Sequence, residues 1–179
     1  MNVFIACSSK DNIDEKFYQY AKEVSNLLIE TKDEVFVGGK IGIMGFIANY
    51  VRKNNIEPNI VITKKYQSEI AKEDKKVFIA ESVNDRINYF LNKTELFIVF
   101  PGSLGTLNEL FMALESKRTD GSNLDIILLN IDGFYDDVIK VFENHANGKF
   151  FDENIHDFMY VARSINELKS YYKEVREKR

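Results

Sequence analysis

The chain has 179 residues, of which 45% are hydrophobic and 29% charged, the balance of a single domain (residues 1–179) able to bury a core; disordered, collagen-like and multidomain readings are excluded. With 28 acidic against 24 basic residues the formal charge is -4, so no broad nucleic-acid surface is expected and a phosphate ligand would need a local site. A lone cysteine, Cys7, forms no internal disulfide, and the cysteine and two histidines lack zinc spacing, which fits a reducing, cytoplasmic setting without a metal centre.

The opening Met1 to Cys7 is too short and too weakly basic for a secretory signal. No apolar run approaches the ~18–20 residues of a membrane span, so no membrane partner is expected. Val3 to Cys7 reads as a buried strand, and Asp14 to Glu30 as a helix with Phe17, Ala21, Val24 and Leu28 on one face. Glu34 to Val37 predicts a second strand that ends in glycines, before a helix over Gly45 to Lys53. Strands at Asn59 to Thr63 and Lys76 to Ala80 precede a helix over Val83 to Asn92, whose apolar face is Val83, Ile87, Phe90 and Leu91. Leu96 to Phe100 is the strongest strand; it closes at Pro101-Gly102 and feeds a helix from Thr106 to Lys117. Asp125 to Ile131 predicts a further strand, with helices at Tyr135 to Asn147 and Ser164 to Lys178. Apolar strands alternating with helices specify an α/β, Rossmann-like, doubly wound and mostly parallel sheet with helices on both faces. Ligands of such sheets sit beyond the carboxyl ends of the strands.

Two strand-to-helix junctions are glycine-rich: Gly38-Gly39-Lys40-Ile41-Gly42-Ile43-Met44-Gly45 and Pro101-Gly102-Ser103-Leu104-Gly105-Thr106. Neither matches the ATPase phosphate loop, and the first does not match the dinucleotide fingerprint. They serve as tight turns or as phosphate cradles at helix N-termini, and two on one sheet favour the cradle. Glu109 stands four positions beyond Gly105, on the first turn of the predicted helix; it either complements the helix dipole or turns its carboxylate into the crevice. Arg86 stands near a helix N-terminus, where a cation is unfavourable; it is a solvated arginine or is held by an anion or carboxylate. His145 and His156 read as surface or structural residues, Cys7 as a small buried side chain, and Lys173 to Arg179 as a solvated helix end. Phe90, Phe111, Met112 and Phe150 fit either an apolar patch between two copies or the core.

Together these motifs resemble the LOG (Lonely Guy) family of phosphoribohydrolases, which release cytokinin bases from riboside 5'-monophosphates and whose members often carry a lysine decarboxylase-like label in error. Pro101 to Glu109 resembles the family pattern PGGxGTxxE with Ser103 at the second glycine, and Val37 to Gly45 resembles GGGxxGLMG with Val37 at the first. Ala6-Cys7-Ser8-Ser9 resembles CGSS, and Leu129 to Tyr135 resembles LNVDGYY, so the likeness runs in order from Val3 to Ile165. The resemblance implies catalytic roles for Arg86 and Glu109. It implies substrate binding by Ser9, Gly39, Gly42, Met44, Gly45, Glu69, Gly102, Ser103, Leu104, Gly105 and Thr106. It further implies a nucleoside monophosphate substrate, no cofactor, and a homodimer. The family's Met-His-Glu-Arg-Lys becomes Val83-Asn84-Asp85-Arg86-Ile87, which bears on the choice of base more than on the reaction. Two rivals accompany this reading: a carrier or sensor of the same fold that binds a nucleotide-like ligand without cleaving it, and a pyridoxal-phosphate decarboxylase.

Overall fold

The computed structural model describes residues 1–150 and 153–179. Among them seven strands form one sheet: β1 (Asn2–Ala6), β2 (Glu34–Val37), β3 (Asn59–Thr63), β4 (Lys76–Ala80), β5 (Leu96–Val99), β6 (Asp125–Leu129) and β7 (Tyr160–Ala162). Their order is β4-β3-β2-β1-β5-β6-β7, and every pairing is parallel. Five α-helices lie between strands, α1 (Glu15–Thr31), α2 (Gly42–Lys53), α3 (Val83–Lys93), α4 (Leu104–Asp120) and α5 (Asp136–Asn147), and a sixth, α6 (Ile165–Glu177), follows β7.

Side chains alternate across each strand, so each central strand feeds two cores. From β1, Val3 and Ile5 pack with α1, α2 and α6 through Leu28, Ile47 and Tyr172. Phe4 and Ala6 pack on the other face with α3, α4 and α5 through Phe90, Leu110 and Ile139. Phe4 stacks on Phe90 with ring centroids 3.7 Å apart. Phe90 is therefore core, whereas Phe111, Met112 and Phe150 are exposed. Burial on both faces explains why the inner strands read as unbroken apolar runs.

The chain runs outward from β1 through β2, β3 and β4, then returns to β5 on the other side of β1. The strand order reverses between β1 and β5, and at such a point the loops on either side diverge and leave a crevice.

Several boundaries differ from those the periodicity predicts. β7 has three residues, too short to register as an apolar run. β6 stops at Leu129 because the chain turns at Asn130, whose side chain accepts the Tyr135 N–H at 2.7 Å. α2 starts at Gly42 rather than Gly45, since Gly42 N–H donates to Asp11 Oδ1 at 3.1 Å and Ile43 N–H to the Ser8 carbonyl at 3.2 Å. Gly42 has φ +63°, and a β-carbon there would stand 2.6 Å from the Lys10 carbonyl, so this close crossing admits only glycine. On α3, Ile87 and Phe90 are buried as their spacing predicts, but Val83 is exposed at the mouth of the crevice.

Candidate functional site

The crevice is a cavity of about 340 Å³ at the carboxyl ends of the strands, at the small end of the range for ligand sites. Each neighbouring strand supplies part of its wall. Cys7 and Ser9 follow β1, Gly39 and Lys40 follow β2, Tyr66 and Glu69 follow β3, Arg86 follows β4, and Ser103, Gly105 and Thr106 follow β5.

Arg86 and Glu109 meet here although 23 positions separate them. Arg86 Nη2 donates to Glu109 Oε1 at 2.7 Å, and Nη1 donates to the Gly38 carbonyl at 3.2 Å. Arg86 Nε has no hydrogen-bond partner among the described residues. The Ser82 hydroxyl caps α3 by accepting the Asp85 N–H at 3.1 Å, which sets the first turn that presents Arg86.

Glu109 lies in the second turn of α4 and is only 5% exposed. The dipole role considered from sequence therefore does not apply, because that effect fades beyond the first turn. Burial raises the Glu109 pKa, Arg86 opposes it, and the balance is pushed up to about 7. A carboxyl that titrates near neutrality beside a guanidinium can exchange a proton and can also stabilise positive charge. Burial, then the Glu109 charge, pushes the Cys7 thiol well above its ordinary value, which disfavours a thiolate nucleophile.

The two glycine-rich loops are not equivalent. At α2 the first N–H groups are engaged by Asp11 and Ser8. At α4 the Ser103 side chain makes no capping bond, so the first-turn donors of that helix, whose Gly105 and Thr106 line the cavity, are unclaimed by a side-chain cap. Tyr135, on the second core, donates its hydroxyl to the Phe100 carbonyl at 2.6 Å and braces the start of this loop.

Of the residues expected at the site, the cavity brings together Ser9, Gly39, Met44, Glu69, Arg86, Ser103, Gly105, Thr106 and Glu109. Gly42, Gly45, Gly102 and Leu104 are not among its lining. A β-carbon on Gly45 would overlap the Lys40 carbonyl, and one on Gly102 would overlap the Thr106 hydroxyl, so both glycines sit where backbone or side chain passes closely. Leu104 points outward at 84% exposure. Sequence reasoning passed over Lys40, Ile62, Thr63, Tyr66 and Val83, which also line the cavity. The rule that sites form beyond carboxyl ends of strands would have pointed to Thr63, the last residue of β3.

The family described as "Possible lysine decarboxylase" matches residues 16–171. A cytokinin riboside 5'-monophosphate phosphoribohydrolase of Arabidopsis thaliana is 23% identical over 172 residues, covering 93% of this chain and 79% of the relative. One from Oryza sativa subsp. japonica, named "probable" for the same activity, is 26% identical over 169 residues, covering 93% and 76%. Among solved structures, the molybdenum cofactor binding protein of Rippkaea orientalis superposes with a TM-score of 0.69 at 17% identity, covering 97% of this chain and 96% of that one. The Moco carrier protein of Chlamydomonas reinhardtii superposes at 0.71 and 15% identity, covering 99% and 98%. At these identities the likeness to the solved structures concerns the fold alone.

Proposed function

The chain belongs to the family described as "Possible lysine decarboxylase", the LOG family, and from that membership we propose that it hydrolyses the N-glycosidic bond of a nucleoside 5'-monophosphate. AMP or a cytokinin riboside monophosphate is the substrate type, and the products are the free base and ribose 5-phosphate. The observation that carries this reading is the pair of partly buried Arg86 and buried Glu109 in the cavity, next to the start of α4, which has no side-chain cap.

In this mechanism the phosphate docks on the first-turn N–H groups of α4, with the Ser103 and Thr106 hydroxyls beside it. Gly39, Met44 and Ser9 form the opposing wall, and Glu69 faces the sugar or base. Phosphate binding fixes the ribose so that its anomeric carbon lies at Glu109, converting remote binding energy into orientation. The C1'–N bond breaks with its electron pair going to the base, and the Glu109 carboxylate stabilises the oxocarbenium-like sugar. Glu109 then accepts a proton from the attacking water and passes it on to the departing base, so the water's hydroxyl ends on C1', its proton ends on the base, and the carboxylate is regenerated. Arg86 orients the carboxylate and offsets part of the burial that favours its protonated form.

The decarboxylase chemistry of the family description fits poorly. Pyridoxal phosphate requires a lysine amine free to form a Schiff base, and the lysine lining the cavity, Lys40, is paired with Asp74 at 2.8 Å. The carrier reading draws on the names of the structural neighbours; it predicts ligand binding with no turnover. Incubation with AMP and isopentenyladenosine monophosphate separates the two: release of free base supports the hydrolase, and failure of a whole panel of nucleoside monophosphates to yield any base overturns it.

The same reading includes a homodimer in the cytoplasm. Leu104, Phe111 and Met112 leave an exposed apolar stripe along α4, the helix that also carries Glu109. A helix apolar on both of its faces is normally covered on both.

A further inference from the structure

Residues 64–75 form a strap along one side of the cavity, carrying Tyr66 and Glu69 into its wall. Not one of these residues is buried as a whole, and the 3-10 turn Lys64–Glu69 contributes nothing to the core. The strap is thus held by polar contacts, and most are exposed: Lys64 with Glu81, the Lys75 N–H with Glu57, and Lys40 with the exposed Glu73 at 3.6 Å.

The exception is Asp74, whose side chain is 0% exposed. Its carboxylate pairs with Lys40 Nζ at 2.8 Å on the first glycine loop and with Arg52 Nη2 at 2.6 Å on α2, and it accepts the Ala71 N–H at 2.8 Å. Burial by itself would raise the Asp74 pKa, but these partners outweigh it and hold the carboxyl below its usual range. Enclosed charges of this kind add little net stability over apolar packing, and their better-attested use is to fix one arrangement of the chain. Here the arrangement fixed is the distance between the strap and the glycine loop, which follow the neighbouring strands β3 and β2 and both line the cavity.

We propose that Asp74 is a positioning residue for the candidate site, latching the strap through Lys40 and Arg52 so that Tyr66 and Glu69 stand in the cavity wall. Asp74 touches no ligand itself; it acts through the segment it holds. The inference rests on the hydrolase reading only for its kinetic test.

Asp74→Asn in the full chain removes the charge while keeping the side chain's shape. Trypsin supplies a direct readout, since the strap carries Lys64, Lys65, Lys72 and Lys75. Cleavage within the strap is expected to rise about tenfold in the native variant, with cleavage elsewhere unchanged, because the opening is local. The KM for AMP is expected to rise about fivefold with kcat within about twofold of the parent, the pattern of lost ground-state binding. Should Asp74→Asn fail to fold by circular dichroism, Lys40→Gln severs one partner and leaves Arg52, and a smaller rise in strap cleavage is expected. Unchanged strap cleavage in a folded variant overturns the proposal. If the parent hydrolyses no nucleoside monophosphate of the panel, the hydrolase reading fails while the proteolysis comparison still decides the latch.

Discussion

At Glu109 two opposing effects meet within one side chain: removal from water favours the acid, and the guanidinium of Arg86 favours the carboxylate. The first prevails far enough to bring the group to about 7. If hydrolysis uses the ionised form in the free enzyme, kcat/KM for AMP rises with pH below about 7 and levels above it. The sign for stability is the opposite. A folded pKa above the ordinary 4.5 means that the folded chain keeps a proton the unfolded chain releases, so this group lowers stability as pH rises from about 4.5 toward about 7. Thermal unfolding of Glu109→Gln between pH 5 and pH 8 is expected to lose that slope, and an unaltered slope would show that Glu109 does not titrate in this window. Arg86→Lys keeps the charge but loses the fork that reaches both Gly38 and Glu109, and a drop of at least about tenfold in kcat/KM is expected from it.

Elements put these residues in place, and the glycines at the two loops test how. Gly42→Ala forces a side chain into left-handed backbone 2.6 Å from the Lys10 carbonyl, and a loss of stability above about 2 kcal/mol is expected in urea unfolding. Gly105→Ala is the contrasting case: a β-carbon there meets nothing within 4 Å, yet the residue lines the cavity. Alanine in that helical turn should keep or add up to about 1 kcal/mol of stability, while the KM for AMP rises, because the methyl group intrudes on the phosphate's path. A destabilised Gly105→Ala with unchanged KM would remove α4 from the binding role. These elements were largely legible in the sequence, since Leu96 to Phe100 and Asp125 to Ile131 carry apolar runs, the motif from Pro101 to Glu109 pointed to Glu109, and the segment Val83 to Ile87 pointed to Arg86. β7 was not, because three residues hold no period. Lys40 and Asp74 were not, because their contact spans 34 positions and exists only once α2 and the strap fold against each other.

For the whole molecule, the parallel sheet places five loop regions at one end, and the net charge of -4 is set aside locally by Arg86 and the start of α4. An acidic chain thereby gains a site for a small anion without a basic surface. The stripe of Leu104, Phe111 and Met112 lies on the same helix as Glu109, so a second copy covering it would stand beside the site. Light scattering of the parent should give twice the 20.8 kDa chain mass, and Phe111→Glu, which puts a charge in the stripe, should give the monomer. A monomeric parent at micromolar concentration would leave that face to another role.

The central claim is that Glu109 performs chemistry on a bound nucleotide rather than lining a carrier's cavity. It is tested most directly by following AMP with the parent and with Glu109→Gln, measuring binding by calorimetry and ribose 5-phosphate release in the same samples. The account predicts that both proteins bind AMP with affinities within about tenfold of each other, and that release falls by at least about a hundredfold in the variant. Equal binding with no release from either protein would contradict it and leave a carrier.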